Sequence, residues 1–106
     1  MEKLFAYGTL KDIDVQEKIF GRTLTGTPET LQGYILKEIK IEEEFGMEPY
    51  PIIEPSQNPQ DSVSGMIYSL SLSELQLADT YEGKFYKRTQ VALAPNQTIW
   101  VYIAKL

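Results

Sequence analysis

The chain has 106 residues, 42% of them hydrophobic and 24% charged, and a formal net charge of −5. This length and balance are those of one packed globular domain, and they exclude a disordered chain, a fibrous repeat and an electrostatic attraction to nucleic acid or anionic lipid. The sequence contains no Cys and no His, which excludes disulfides, Cys or His zinc sites and Ser-His-Asp triads, so any catalytic proton transfer would depend on Asp, Glu, Tyr or Lys.

The N-terminal quarter predicts a strand, a sharp turn and a short helix. Lys3 to Tyr7 is an apolar strand segment, and Gly8 follows it as a conformationally permissive turn residue. Asp14 and Glu17 have the spacing of a helix N-cap and its partner, and Gly21 stands where a C-terminal glycine belongs. The expected helix therefore has about two turns.

The middle of the chain predicts extended segments joined by turns. In chain order they are a turn at Thr25 to Pro28, an extended segment from Leu31 to Ile41 bent at Gly33, a loop opened by the solvated run Glu42 to Glu44, an edge strand of at most Tyr50 to Glu54, a loop from Ser56 to Asp61 and a strand from Val63 to Leu70.

The last third predicts a capped helix and a hairpin. Ser71 and Glu74 have the spacing of a capping box, and the helix should end near Gly83. Phe85 to Leu93 and Thr98 to Ala104 read as two strands joined by a short loop. Since strands predominate and most connections are short, we expect an α+β fold with a mainly antiparallel, curled sheet and two helices; closure into a small barrel would remove exposed edges.

The segment Tyr7-Gly8-Thr9-Leu10 places a glycine and a threonine at the turn between the first strand and the first helix. Consecutive backbone N–H groups at such a turn can hold a carboxylate or stabilise an oxyanion. The same four residues also fit an ordinary strand-ending turn, and alone they favour that simpler interpretation.

Helical spacing indicates that the end of the second helix carries partly buried charge. One arc of this helix holds Leu72, Leu75, Asp79 and Glu82, and a second apolar pair, Leu77 and Tyr81, would cover its other side. Partial burial would raise the pKa of Glu82, as an acid–base group near neutrality requires. The alternatives are that Asp79 and Glu82 form an exposed helix end, or that they pair with Lys84, Lys87 or Arg88.

Six short segments follow one another in a recognisable order. They are Leu4 to Leu10, Phe20-Gly21, Tyr50-Pro51, Val63 to Gly65, Asp79 to Gly83 and Tyr86 to Arg88. Each string is common alone, but YGTL at a strand end followed about seventy residues later by D-x-Y-E-G and Y-x-R is specific. In this combination the chain resembles the AIG2-like branch of the gamma-glutamylcyclotransferase family.

The resemblance implies a small mainly antiparallel β-barrel with two flanking α-helices and an enzyme that releases 5-oxoproline from a small gamma-glutamyl-amine. It implies that Glu82 is the acid–base residue and that the YGTL loop, Tyr7, Gly8, Thr9 and Leu10, binds substrate through backbone N–H groups. The expected supporting residues are Tyr50, Asp79, Tyr86 and Arg88.

The other expectations are negative or general. We predict no metal and no cofactor, no nucleic-acid or membrane partner, a monomer or weak homodimer, and a cytoplasmic location, since the start of the sequence has no long apolar region. Two other functions stay open, a binding protein without turnover and a structural or interaction protein. An enclosed Glu82 beside Gly8 to Leu10 would favour the enzyme or the binding protein, and a solvent-facing Glu82 would favour the third function.

Overall fold

The computed structural model of the chain describes residues 1–43 and 46–105, and for residues 39–43 and 46–49 it describes the backbone alone. The predicted solvation of the run Glu42 to Glu44 therefore lies outside the described side chains. In the part of the chain that is described, no helix is long and apolar enough to cross a bilayer.

Seven strands, two α-helices and two short 3₁₀ helices follow one another within the described residues. The strands are β1 (Glu2–Ala6), β2 (Gly26–Gln32), β3 (Tyr34–Glu43), β4 (Gly46–Pro55), β5 (Ser62–Leu70), β6 (Tyr86–Ala94) and β7 (Gln97–Ala104). The α-helices are α1 (Ile13–Phe20) and α2 (Leu72–Glu82), and the 3₁₀ helices are Thr9–Lys11 and Gly83–Phe85.

The strands form a five-stranded sheet and a two-stranded ribbon. The sheet has the order β2-β5-β1-β7-β6, and the ribbon pairs β3 with β4. Among these strands β1 and β7 pair in parallel and the other neighbours are antiparallel, so the predicted α+β class with a mainly antiparallel sheet and two helices is confirmed. The ribbon packs against β5 and β7. Within the described residues no ladder joins the ribbon to the sheet, so closure into a barrel stays a prediction.

Two apolar clusters cover the opposite faces of β1. Leu4 and Ala6 pack in the cluster that the two helices cover, whereas Phe5 belongs to the cluster that includes Ile53 of the ribbon. Because successive strand residues point to opposite faces, an unbroken apolar run at β1 requires cover on both sides. Gly65 of β5 allows this close packing, since a Cβ there would lie 2.5 Å from the carbonyl oxygen of Ala6.

The second helix begins and ends as its sequence predicts. The Ser71 hydroxyl accepts from the Glu74 N–H at 3.1 Å, and the Glu74 carboxylate accepts from the Ser71 N–H at 3.0 Å, which completes the capping box. The helix ends at Glu82, and Gly83 follows with a φ of +76°. Leu75 and Ala78 are fully buried and attach the helix to the sheet.

The first helix also has the predicted length, but its predicted cap is wrong. Asp12 rather than Asp14 stands at the N-cap, without a side-chain hydrogen bond. The backbone N–H of Asp12 donates to the Thr9 carbonyl, so the preceding 3₁₀ turn leads the chain into the helix two residues earlier than the sequence pattern predicts. Gly21 ends the helix with a φ of 70°, as predicted.

The predicted turn at Thr25 to Pro28 is wrong, because β2 already begins at Gly26. This strand is at the edge of the sheet and pairs with β5. An edge position tolerates Pro28, since a proline whose nitrogen faces outward removes no ladder hydrogen bond.

The predicted short edge strand at Tyr50 to Glu54 is likewise too short. β4 has ten residues, and β3 extends through Glu43, where a loop was expected. Pro49, Pro51 and Pro55 are all odd-numbered positions of β4, so their nitrogens face the same edge of the strand, and the N–H groups of the even-numbered residues can pair with β3. The carbonyl of a strand residue points to the same edge as its nitrogen, so the Pro51 carbonyl points away from β3.

Candidate active site

A cavity of about 350 Å³ lies where the end of β1 meets the C-terminal end of α2 and the ribbon strand β4. Seven of the nine predicted site residues line it: Tyr7, Gly8, Thr9, Leu10, Tyr50, Glu82 and Tyr86. Phe5, Ala6, Pro51, Tyr81 and Tyr102 complete the wall. The volume is at the lower end of the range for small-molecule sites.

The backbone after β1 forms one wall of the cavity. A 3₁₀ helix begins at Thr9, and the first N–H groups of a helix have no partner within it, so those of Thr9 and Leu10 can donate to a ligand. Gly8 has a φ of −117° and a ψ of −145°, a pair outside the regular α and β regions, and a Cβ there would meet Pro51 Cγ at an ordinary 3.6 Å.

Glu82, the last residue of α2, is the carboxylic acid of the cavity wall. Burial raises the pKa of the Glu82 carboxyl from 4.5 to about 7, because the charged form loses hydration that the protonated form hardly needs. The side chain therefore exchanges a proton near neutral pH.

The sequence argument for the burial of Glu82 is wrong in its details. Leu72 and Leu77 are 62% and 47% exposed, so neither of the predicted apolar pairs covers the helix end. Glu82 instead is half-buried on the same helix face as the buried Leu75 and Ala78, with i, i+3, i+7 spacing. Only the core-facing stripe of α2 is covered.

Three tyrosine hydroxyls in the wall donate their hydrogens to the protein. Tyr7 donates to the carbonyl oxygen of Tyr102 at 2.6 Å, and Tyr86 donates to the carbonyl oxygen of Pro51 at 2.6 Å. Tyr102 donates to a carboxylate oxygen of Asp79 at 2.7 Å. A phenol has one hydrogen, so toward a ligand these hydroxyls can act only as acceptors.

The same tyrosines stay protonated at neutral pH. Burial, followed by the charge of nearby Glu82, raises the pKa of Tyr86 to about 12. Burial also raises the pKa of Tyr7 and of Tyr102 above the ordinary value. The cavity therefore presents neutral oxygen acceptors around one titrating carboxyl.

Asp79 and Arg88 lie behind the wall rather than in it. Arg88 donates from Nε and Nη2 to the two oxygens of Asp79, at 2.8 and 3.1 Å, so the pairing with Arg88 that the sequence left open as an alternative is present for Asp79. Burial alone would raise the pKa of Asp79, but the hydrogen bonds from Arg88 and Tyr102 outweigh it and lower that pKa. The guanidinium also stacks 4.3 Å from the centre of the Trp100 ring. The pair fixes the Tyr102 hydroxyl, and its support of catalysis stays a prediction.

Two polar contacts that the sequence analysis missed hold the loop after β1. Gln16 is 2% exposed; it donates to the Leu10 carbonyl at 2.9 Å and accepts from the Leu24 N–H at 2.8 Å. The sequence does contain one indication of this buried role, which is the position of a glutamine on the apolar face of a short helix. At the exposed rim, the hydroxyls of Thr9 and Tyr81 are 2.6 Å apart and share a hydrogen bond.

The fold and the cavity together define a small α+β protein with a carboxyl of raised pKa in a site of small-molecule size. Residues 4–106 match the family model described as gamma-glutamyl cyclotransferase, AIG2-like, and the chain belongs to this family.

Two solved structures resemble this chain. The solution structure of an Arabidopsis thaliana protein is 27% identical with a TM-score of 0.71, over 97% of this chain and 61% of that one. A structure named gamma-glutamyl cyclotransferase is 19% identical with a TM-score of 0.75, over 98% of this chain and 66% of that one, and this likeness is one of fold. The chain thus spans less than two thirds of either neighbour. No curated protein matches the sequence.

Proposed function

We propose that this protein is a gamma-glutamyl cyclotransferase, which converts a gamma-glutamyl-amine into 5-oxoproline and the free amine. The observation that carries the proposal is the Glu82 carboxyl, with a pKa of about 7, in one cavity with the backbone of Gly8 to Leu10. Membership in the AIG2-like family supports the same reaction class.

The reaction needs no enzyme nucleophile. The α-amine of the substrate attacks its own γ-carbonyl carbon, the new C–N bond closes a five-membered lactam, and the original amide C–N bond breaks. The protons that the α-nitrogen loses balance those that the departing nitrogen gains, since the amine leaves as an ammonium. The protein must hold the folded conformer, move protons and stabilise the oxyanion, which suits a chain without Cys or His.

The raised pKa of Glu82 lowers the free energy of the proton transfer. Whatever the pKa of the substrate ammonium, transfer to a carboxylate of pKa about 7 is easier by about 3 kcal/mol than transfer to a glutamate at its ordinary pKa of 4.5. The same carboxylic acid can then protonate the departing amine.

The remaining wall fits the other parts of such a substrate. The hydroxyl oxygens of Tyr86 and Tyr102 can accept from an α-ammonium group, because their own hydrogens are bonded to the wall. The N–H groups at the start of the 3₁₀ helix can donate to a substrate oxygen. One cavity therefore offers both acceptors and donors to a ligand.

The test is to incubate the protein with gamma-glutamyl-amines and gamma-glutamyl dipeptides and to measure 5-oxoproline. We expect product with at least one of them and a loss of product in Glu82→Gln, which keeps the shape of the side chain but cannot exchange the proton. Glu17→Gln, an exposed change on α1, is the matched control. Absence of 5-oxoproline with every compound would refute the proposal.

A second candidate is a binding protein without turnover. The acceptor hydroxyls and loop donors would recognise the ammonium and carboxylate of an amino acid whether or not a bond is broken. Calorimetric binding of an amino acid or gamma-glutamyl compound without formation of 5-oxoproline would favour this function. The burial of Glu82 favours either function over a purely structural role.

A further inference from the structure

A shallow groove lies between the two helices, next to the cavity. Its lining residues are Lys18 and Ile19 of α1 and Leu77, Thr80 and Tyr81 of α2. Leu77 is 47% exposed and Tyr81 is 42% exposed, so the groove presents apolar surface to solvent. Tyr81 lines both the groove and the cavity, and it is therefore the wall that they share.

The cavity and the groove meet at Tyr81, which is next to Glu82 at the end of α2. At the rim the hydroxyls of Tyr81 and Thr9 share a hydrogen bond. The amine part of a substrate held at Glu82 can therefore leave the cavity past Tyr81 and reach the groove.

The chemistry of the groove restricts what that amine part can be. Ile19 and Leu77 offer apolar contact, and Lys18 is an exposed cation. None of the five lining residues is acidic, so no carboxylate in the lining would neutralise a second positive charge on the substrate. An apolar side chain beside a negatively charged group is the ligand chemistry that fits.

We propose that the groove between α1 and α2 is a second subsite of the active site, which selects gamma-glutamyl dipeptides whose C-terminal amino acid has an apolar side chain. The apolar side chain lies against Ile19 and Leu77, and the free carboxylate faces Lys18. A gamma-glutamyl diamine would bring a second ammonium toward Lys18 and is disfavoured. This inference rests on the cyclotransferase function proposed above.

The test compares kcat/KM for gamma-glutamyl-leucine, gamma-glutamylglycine and a gamma-glutamyl diamine. An added aliphatic side chain in an apolar site is worth about tenfold or more, so we expect the leucine compound to exceed the glycine compound by about tenfold, with the diamine slowest. In Leu77→Asn the ratio of leucine to glycine should fall toward one. In Lys18→Glu the ratio of diamine to leucine compound should rise severalfold.

Leu72→Asn is the matched control, because Leu72 is on the same helix, is 62% exposed and does not line the groove. It should keep the wild-type ratios. If 5-oxoproline forms from all three compounds but Leu77→Asn keeps the wild-type ratio, the subsite is refuted while the cyclotransferase function stands. If none of the three yields 5-oxoproline while another compound of the wider panel does, the subsite is refuted and the cyclotransferase function stands; if no compound of that panel does, both proposals are wrong.

Discussion

Replacing Glu82 by Gln should abolish turnover and stabilise the fold, and the second effect should depend on pH. The amide keeps the size of the side chain but cannot accept or return a proton. Removal of one acid–base group typically costs about a hundredfold or more, so kcat should fall by at least that factor with KM largely kept. Wild-type turnover should also fall as the pH drops below about 7, because the protonated carboxyl cannot accept the ammonium proton.

The magnitude of the stability effect follows from the raised pKa. Glu82 titrates at about 7 in the folded protein against 4.5 for the ordinary group, so the folded state binds more protons between these values and wild-type stability falls as the pH rises through them. The two pKa values differ by about 2.5, and each pKa unit corresponds to about 1.4 kcal/mol, so burial of the charged carboxylate lowers the unfolding free energy by about 3 kcal/mol near pH 8. Near pH 5 the cost is below about 1 kcal/mol. The gain from the amide should therefore grow by about 2 kcal/mol between these pH values.

Urea unfolding at about pH 5 and pH 8, followed by circular dichroism, measures this difference, and 5-oxoproline release measures turnover on the same samples. Glu17→Gln removes an exposed carboxylate and should change neither the turnover nor the pH dependence of stability. A Glu82→Gln protein whose unfolding free energy exceeds that of the wild type by the same amount at both pH values would refute the burial argument. Undiminished turnover would refute the catalytic assignment.

Three further changes test the surroundings of the site. Gly8→Ala and Thr9→Ser should both keep 5-oxoproline release within a few-fold of wild type. The Cβ that Gly8→Ala introduces would meet a single side-chain atom at 3.6 Å, and Thr9→Ser would keep the hydroxyl of Thr9. A large loss of release in either variant would contradict a binding role for the backbone. Gln16→Leu leaves two backbone groups unpaired and should lower the unfolding free energy by about 1 to 3 kcal/mol, whereas an unchanged urea midpoint would count against that role. The hydrogen bond from Arg22 lowers the pKa of Glu74 to about 2. The unfolding free energy of the wild type should therefore fall as the pH drops from about 5 to about 2, and that of Glu74→Gln should fall less. Parallel curves of stability against pH for the two proteins would argue against this ion pair.

The elements that could be predicted depend on residues close in sequence. The capping box at Ser71, the glycines after both helices and the last hairpin each follow from a few neighbouring residues. The order of the family motifs led to Glu82 and to the loop from Tyr7 to Leu10, and the structure brings these segments to one cavity. Their roles in binding and catalysis remain predictions.

The elements that could not be predicted depend on distant partners. The propensities of β2 and β4 indicate turns and a short strand, and it is pairing with β5 and β3 that makes each of them extended. The tyrosine wall has the same origin, since the hydrogen bond from Tyr86 to Pro51 joins residues 35 positions apart. Nothing in the sequence pattern indicates which acceptor each phenol would find.

The alternate prolines of β4 also restrict the ways in which this hairpin can misalign. If β4 slid by one residue along β3, the nitrogens of Pro49, Pro51 and Pro55 would face β3, where none of them can donate, and every side chain of the strand would change face. A slide by two residues would keep the donors but move the Pro51 carbonyl by about 7 Å, out of reach of the Tyr86 hydroxyl. The three prolines that weaken the strand by propensity thus disfavour a shift by one residue, and the hydrogen bond from Tyr86 to the Pro51 carbonyl disfavours a shift by two. An insertion of a single residue between these prolines would put them on opposite edges of the strand and remove the first of these constraints.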